Sequence, residues 1–75
     1  LVLEFMQQVG DILRTERERQ GRTIAAIADE LCIMRDYVRA LEDGDIKRLP
    51  GAFFYKSFAR QYAALLHLNE ELIWF

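Results

Sequence analysis

The sequence predicts a small all-α domain, and three observations lead there. No segment alternates apolar and polar residues with the period of two that a half-buried strand needs. Only one proline and four glycines interrupt the 75 residues, so long stretches carry no helix breaker. Between the interruptions, apolar residues recur at three- and four-residue spacing, which puts them on one side of a helix.

The first helix is expected from Val9 to Gln20. Val9, Ile12 and Leu13 share one face and RTERER supplies the wet one, while Gly21 fits the left-handed stop. Residues 1–8 read as an N-terminal extension, partly vector-derived, with Met6 the natural start and the domain proper over 9–75. Thr23 is the expected N-cap of a short second helix, IAAIADEL, whose buried face is Ile24, Ile27, Ala28 and Leu31. CIM is then a tight turn. A third helix follows from Arg35 to Asp43, burying Tyr37 or Val38 with Leu41 and ending at Gly44. DIKRLPG is a connector stiffened by Pro50, and the fourth helix runs from Ala52 to Leu66. Asn69 is read as the cap of a last turn, EELIWF, with Glu70 and Glu71 at its positive end.

Composition narrows the function. With 52% apolar and 29% charged residues the chain is globular, and its length fits one domain. Cys32 is the single cysteine, so no internal disulfide is demanded; between Leu31 and Ile33 it is expected as a small buried apolar residue. His67 is the single histidine. One Cys and one His without a ligand cluster or cleft signature exclude a recognisable metal site and argue against an enzyme, and no cofactor is expected. No apolar run approaches the ~20 residues of a membrane-spanning helix, and no basic region precedes an apolar one as in a signal peptide. The chain stops at IWF without a tail, which reads as a piece of a longer protein.

Two short helices joined by a tight turn, with Ala28 small enough for a close crossing, suggest a helix-turn-helix. In a DNA-binding version the second motif helix enters the major groove. Here that helix offers Arg35, Asp36 and Arg39, the candidate DNA-reading set. The charges oppose that use. Arg35 and Arg39 stand against Asp36, Glu42, Asp43 and Asp45, a net of −2 over residues 34–45, and Asp29 and Glu30 make it −4 over 23–45. Phosphate neutralisation supplies much of DNA affinity, so this half of the domain would be repelled. The missing charge appears later. Residues 46–66 carry Lys47, Arg48, Lys56 and Arg60 and no acid. The domain is therefore polarised, and its basic part fits a negatively charged partner.

The fourth helix also holds the rings. AFFYKSFARQY carries five of the eight Phe and Tyr residues. Stepping about 100° per residue puts Phe54, Phe58, Tyr62 and Leu65 on one stripe, with Tyr55, Ala59 and Leu66 beside it. Lys56, Arg60 and Phe53 fall on the opposite side. So wide an apolar arc exceeds one core contact, and rings beside Lys and Arg have the composition of a protein-binding hot spot.

VGDILRTERERQG, IAAIADELCI, YVRALEDGD, LPGAFFYKSFARQYAALLHL and NEELI occur in this order. Together they resemble the N-terminal cytoplasmic domain of the RodZ family of bacterial cell-shape proteins, over residues 9–73. The most specific part is Leu49-Pro50, the aromatic run, Lys56-Ser57-Phe58, then Arg60 and Tyr62-Ala63. Phage-repressor-like regulators share only the first half. The resemblance implies a five-helix, lambda-repressor-like bundle with a helix-turn-helix inside it. It implies a parent anchored in the bacterial inner membrane through a segment outside this chain, with this domain on the cytoplasmic side. It further implies binding of the actin-like filament protein MreB, linked to the cell-wall elongation proteins. The family's aromatic contact pair carries over to Phe58 and Tyr62. From charge we add Lys56 and Arg60, and Tyr55 completes the partner-binding set. Where DNA-binding relatives often have Gln and a small polar residue opening the two motif helices, this chain has Ile24 and Met34, which removes base or phosphate contacts. Ser57 stands where the RodZ pattern often has Gly. The expected function is thus docking onto MreB in the maintenance of rod shape, with sequence-specific DNA binding as the alternative.

Overall fold

The computed structural model describes residues 2–69. Among them lie four α-helices and one short 3-10 turn: α1 (Val2–Arg19), α2 (Ile24–Leu31), α3 (Arg35–Asp43), the turn Ile46–Arg48 and α4 (Ala52–Leu65). The described residues contain no strand. The last turn expected over residues 70–75, and with it the fifth helix, lies outside the described residues.

Helix α1 begins at Val2, seven residues before the expected start at Val9. Nothing between them breaks a helix: Leu, Glu, Phe, Met and Gln are all good or fair helix formers. Phe5 extends the stripe formed by Val9 and Leu13, and both Phe5 and Met6 pack partly buried against the core. Gly10 has a steric role. A Cβ built there would lie 2.2 Å from the backbone oxygen of Glu42 and 2.8 Å from that of Leu41. Only glycine lets α1 press this closely on the C-terminal end of α3.

The four helices stop in one way. At each end a left-handed residue follows the helix: Gly21 (φ 71°), Cys32 (φ 58°), Gly44 (φ 68°) and His67 (φ 63°). The N–H groups of that residue and of the next turn back onto carbonyls of the last turn, as in Gly21 to Glu18 at 3.0 Å and Arg22 to Arg17 at 3.0 Å. This placement corrects the reading of Cys32, which is exposed rather than buried. A left-handed cap stands outside the helix's buried stripe, and Leu31 and Ile33 on either side take the partly buried positions instead. The start of α2 is as expected: the Thr23 hydroxyl accepts from the Ala26 N–H at 3.0 Å.

The core joins all four helices. Val9 and Leu13 of α1, Ile27 and Ala28 of α2, and Val38, Ala40 and Leu41 of α3 close on Tyr55, Ala59, Tyr62, Ala63 and Leu66 of the last segment, with Leu49 pinning the connector. Alanines sit where helices cross, which lets the backbones approach. The open carbonyls at the end of α4 are met by side chains from the α1–α2 junction. Gln20 donates to Leu66 O at 2.9 Å and Arg22 to Leu65 O at 3.1 Å.

Candidate docking surface on the fourth helix

Glycine 51 precedes α4 in an extended conformation and offers no side-chain cap, so the helix opens directly on Ala52, Phe53 and Phe54. The buried arc of α4 is Tyr55, Ala59, Tyr62, Ala63 and Leu66. That arc is turned by roughly one residue, about 100°, from the expected stripe of Phe54, Phe58, Tyr62 and Leu65. Rings occupy more than half the circumference, so spacing alone does not choose the buried face. Ala59 and Ala63 choose it, because their small side chains let α4 close on its neighbours.

Two of the expected partner-binding residues are therefore core. Tyr62 is fully buried, at 0% exposure, and Tyr55 is buried beside it. Burial pushes the Tyr55 hydroxyl up to about 12. The Tyr62 hydroxyl is pushed higher still, first by burial and then by its hydrogen bond to Glu42. In that bond Tyr62 donates to the Glu42 carboxylate.

Glu42 is the centre of a network that has no local signature in the chain. Only 3% exposed, it also receives Arg17 as a fork, Nε at 2.7 Å and Nη2 at 3.1 Å. Arg14 donates to its backbone oxygen at 2.8 Å. The carboxylate holds the Arg17 guanidinium above its ordinary value, chiefly through that hydrogen bond. One buried charge pair and one phenol thus tie α1, α3 and α4 together. Such a pair is costly to break, because a lone charge would remain in the interior.

The surface is built by other rings. Phe53 is 84% exposed and Phe54 partly so. They meet edge-on at 5.7 Å, Phe54 stacks on Phe58 at 5.4 Å, and Phe58 stacks on Tyr37 of α3 at 6.2 Å. The result is an aromatic ladder that starts in solvent and ends against α3. Phe58 is half-buried within it. On the outward side Lys56 and Arg60, also half-buried, line a shallow groove with Phe53, Ser57 and Gln61. The structure therefore gathers Phe58 with Phe54, and Lys56 and Arg60 with Phe53, while Tyr55 and Tyr62 point the other way. Phe53 shares a side with Lys56 and Arg60, as its helical position requires. The signal that a ring here reaches solvent was the FFY run itself, since three successive helical positions cannot all face one core.

The alternative DNA-reading residues are all exposed on α3. Arg39 bonds Asp36 at 3.0 Å, so one of the two cations is already engaged. Arg48 reaches Asp43 at 3.0 Å. With Glu42 inside, the acidic balance of this surface is smaller than residue counting implied.

The helix-turn-helix domain family matches this chain over residues 12–73. The chain belongs to that family. In it α2, the turn through Cys32 and Ile33, and α3 are the helix-turn-helix, and α4 is the element packed behind the pair. The chain is also 29% identical over 65 residues to the cytoskeleton protein RodZ of Streptococcus pneumoniae (strain ATCC BAA-255 / R6), covering 87% of this chain and 24% of that protein. It is a RodZ-like helix-turn-helix domain that spans about a quarter of the length of the relative it matches. No solved structure matches the chain significantly. Among the described residues, no helix is long and apolar enough to cross a membrane. Among those same residues, no group of three or more His, Cys, Asp or Glu could hold a metal ion.

Proposed function

We propose that this domain docks onto the actin-like filament protein MreB through α4, as the cytoplasmic module of a RodZ-like membrane protein that helps maintain rod shape. The membrane segment lies outside this chain, and the cell-wall elongation proteins are the wider assembly. The observation that carries the reading is the aromatic ladder, with Phe54 and Phe58 reaching the surface of α4, within a segment that has no acid from Ile46 to Leu66. Aromatic rings and arginine are what a protein interface concentrates, with other charges kept to its rim. The likeness to a cytoskeleton protein supports the same reading. Phe58 and Phe54 are contacts, and Lys56 and Arg60 steer an acidic partner. Tyr62 contributes from the core by holding α4 to Glu42.

Co-sedimentation with purified MreB filaments tests this. Phe58→Ala, folded by circular dichroism, should bind about 2 kcal/mol more weakly, as truncation of an interface anchor does. Equal pelleting of the folded variant would count against the reading.

Duplex DNA is the second reading, favoured by the family fold and by the exposure of Arg35 at the first turn of α3. It predicts binding that falls steeply with salt and is lost in Arg35→Ala.

A further inference from the structure

Phe53 is the most exposed large apolar side chain among the described residues. Its ring stands at the second position of α4, braced edge-on by Phe54 at 5.7 Å and 84°. A ring held in this way loses little freedom when it is buried, which is how aromatic anchors gain affinity. The groove beside it follows one helical stripe. Phe53, Lys56, Ser57, Arg60 and Gln61 are spaced i, i+3, i+4, i+7 and i+8. Gln61 donates to the Ser57 hydroxyl at 3.1 Å, forming a low floor between larger side chains. The walls carry two cations, Lys56 and Arg60.

We propose that Phe53 is the principal anchor of the docking face and that it enters an apolar pocket rimmed by carboxylates on the partner protein. This rests on the docking reading above. The ring fills the partner's pocket, and a partner carboxylate sits in the Ser57 groove between Lys56 and Arg60. A lipid surface takes a continuous apolar helix face, whereas this stripe has a single ring followed by Lys56, Ser57, Arg60 and Gln61. A duplex would meet the cations but has no apolar pocket for the ring. The anchoring role therefore passes from Tyr62, which has no surface to offer, to a residue on the outward side of the same helix.

The test is a titration of the full chain against purified MreB filaments, followed by pelleting. Phe53→Ala keeps the core intact, and its melting curve should equal that of the wild type. Its affinity should fall about 30-fold or more, the loss expected of a central anchor. Lys56→Gln with Arg60→Gln should weaken binding at low salt and flatten its salt dependence. If Phe53→Ala binds like the wild type while Phe58→Ala does not, Phe53 is no anchor and the inference falls, though docking stands. If the wild type does not pellet with filaments, docking itself fails and the inference goes with it. Phe53-dependent capture by phosphatidylglycerol vesicles or duplex DNA, with none by filaments, would overturn it in favour of those surfaces.

Discussion

Gly10→Ala should destabilise this domain, although helix propensity alone argues the opposite. In the interior of an exposed helix the change from Gly to Ala stabilises by about 1 kcal/mol. Here the new methyl would lie 2.2 Å from Glu42 O, 2.7 Å from Glu42 C and 2.8 Å from Leu41 O. All three are backbone atoms, so no side chain can swing away. Restoring contact distance needs α1 and α3 to part by about 1 Å, given ordinary packed separations near 3.5 Å. That movement would stretch the Arg14 bond to Glu42 O, now 2.8 Å, and the Arg17 fork on the same residue. Overpacking of a close contact costs about 1–3 kcal/mol and more when backbone must move. Net of the propensity gain, we expect a loss of about 2 kcal/mol. A domain of this size holds about 4–11 kcal/mol in all, at the usual stability per residue. Urea denaturation followed by far-UV circular dichroism should show a lower midpoint with an unchanged slope. Gly21→Ala is the control, since nothing stands within 4 Å of its added Cβ and only the backbone at φ 71° resists it. A Gly10→Ala domain as stable as the wild type, or more so, would refute the close α1–α3 approach on which the fold rests.

Further outcomes follow from the buried network and the tyrosines. Glu42→Ala leaves the Arg17 guanidinium and the Tyr62 hydroxyl without their acceptor, and should cost about 3 kcal/mol or more by denaturation. Tyr62→Phe keeps the ring and the Arg17 fork, and should cost only about 1–2 kcal/mol. The reverse ranking would contradict the reading of Glu42 as the centre of the network. The folded tyrosines Tyr55 and Tyr62 both ionise above their ordinary value of 10.0, with Tyr55 at about 12. Above pH 10 the unfolded chain therefore releases protons that the folded one keeps, so this stabilisation is complete below that pH and is lost as pH rises through about 12. Phenolate absorbance should rise together with loss of helical signal. Ionisation of Tyr55 and Tyr62 near pH 10 in a domain that stays helical would contradict their burial.

Much of the chain was legible where residues punctuate it. Thr23 marked the start of α2 and Gly21 and Gly44 marked stops, because a cap and a left-handed backbone are local requirements. The start of α1 was not legible, since LVLEFMQQ contains no breaker and the close approach of α1 to α3 at Gly10 is a tertiary fact. Cys32 misled because an apolar neighbourhood in sequence does not reveal a left-handed cap. Glu42 was counted as surface charge; its partners lie 20 and 25 residues away, beyond any local pattern. On α4 the existence of a helix rich in rings was plain, but its roll was not. Phe58 and Tyr62 differ by about one turn in sequence, yet one reaches the surface and the other closes the core.

Docking through the α4 face is tested most directly by mapping amide chemical shifts of the labelled domain as unpolymerised MreB is added. Changes centred on Phe53, Phe54, Phe58 and Arg60, with small ones at Arg35–Arg39, are the predicted result. A shift pattern centred on Arg35, Asp36 and Arg39, or none at saturating partner, would contradict it.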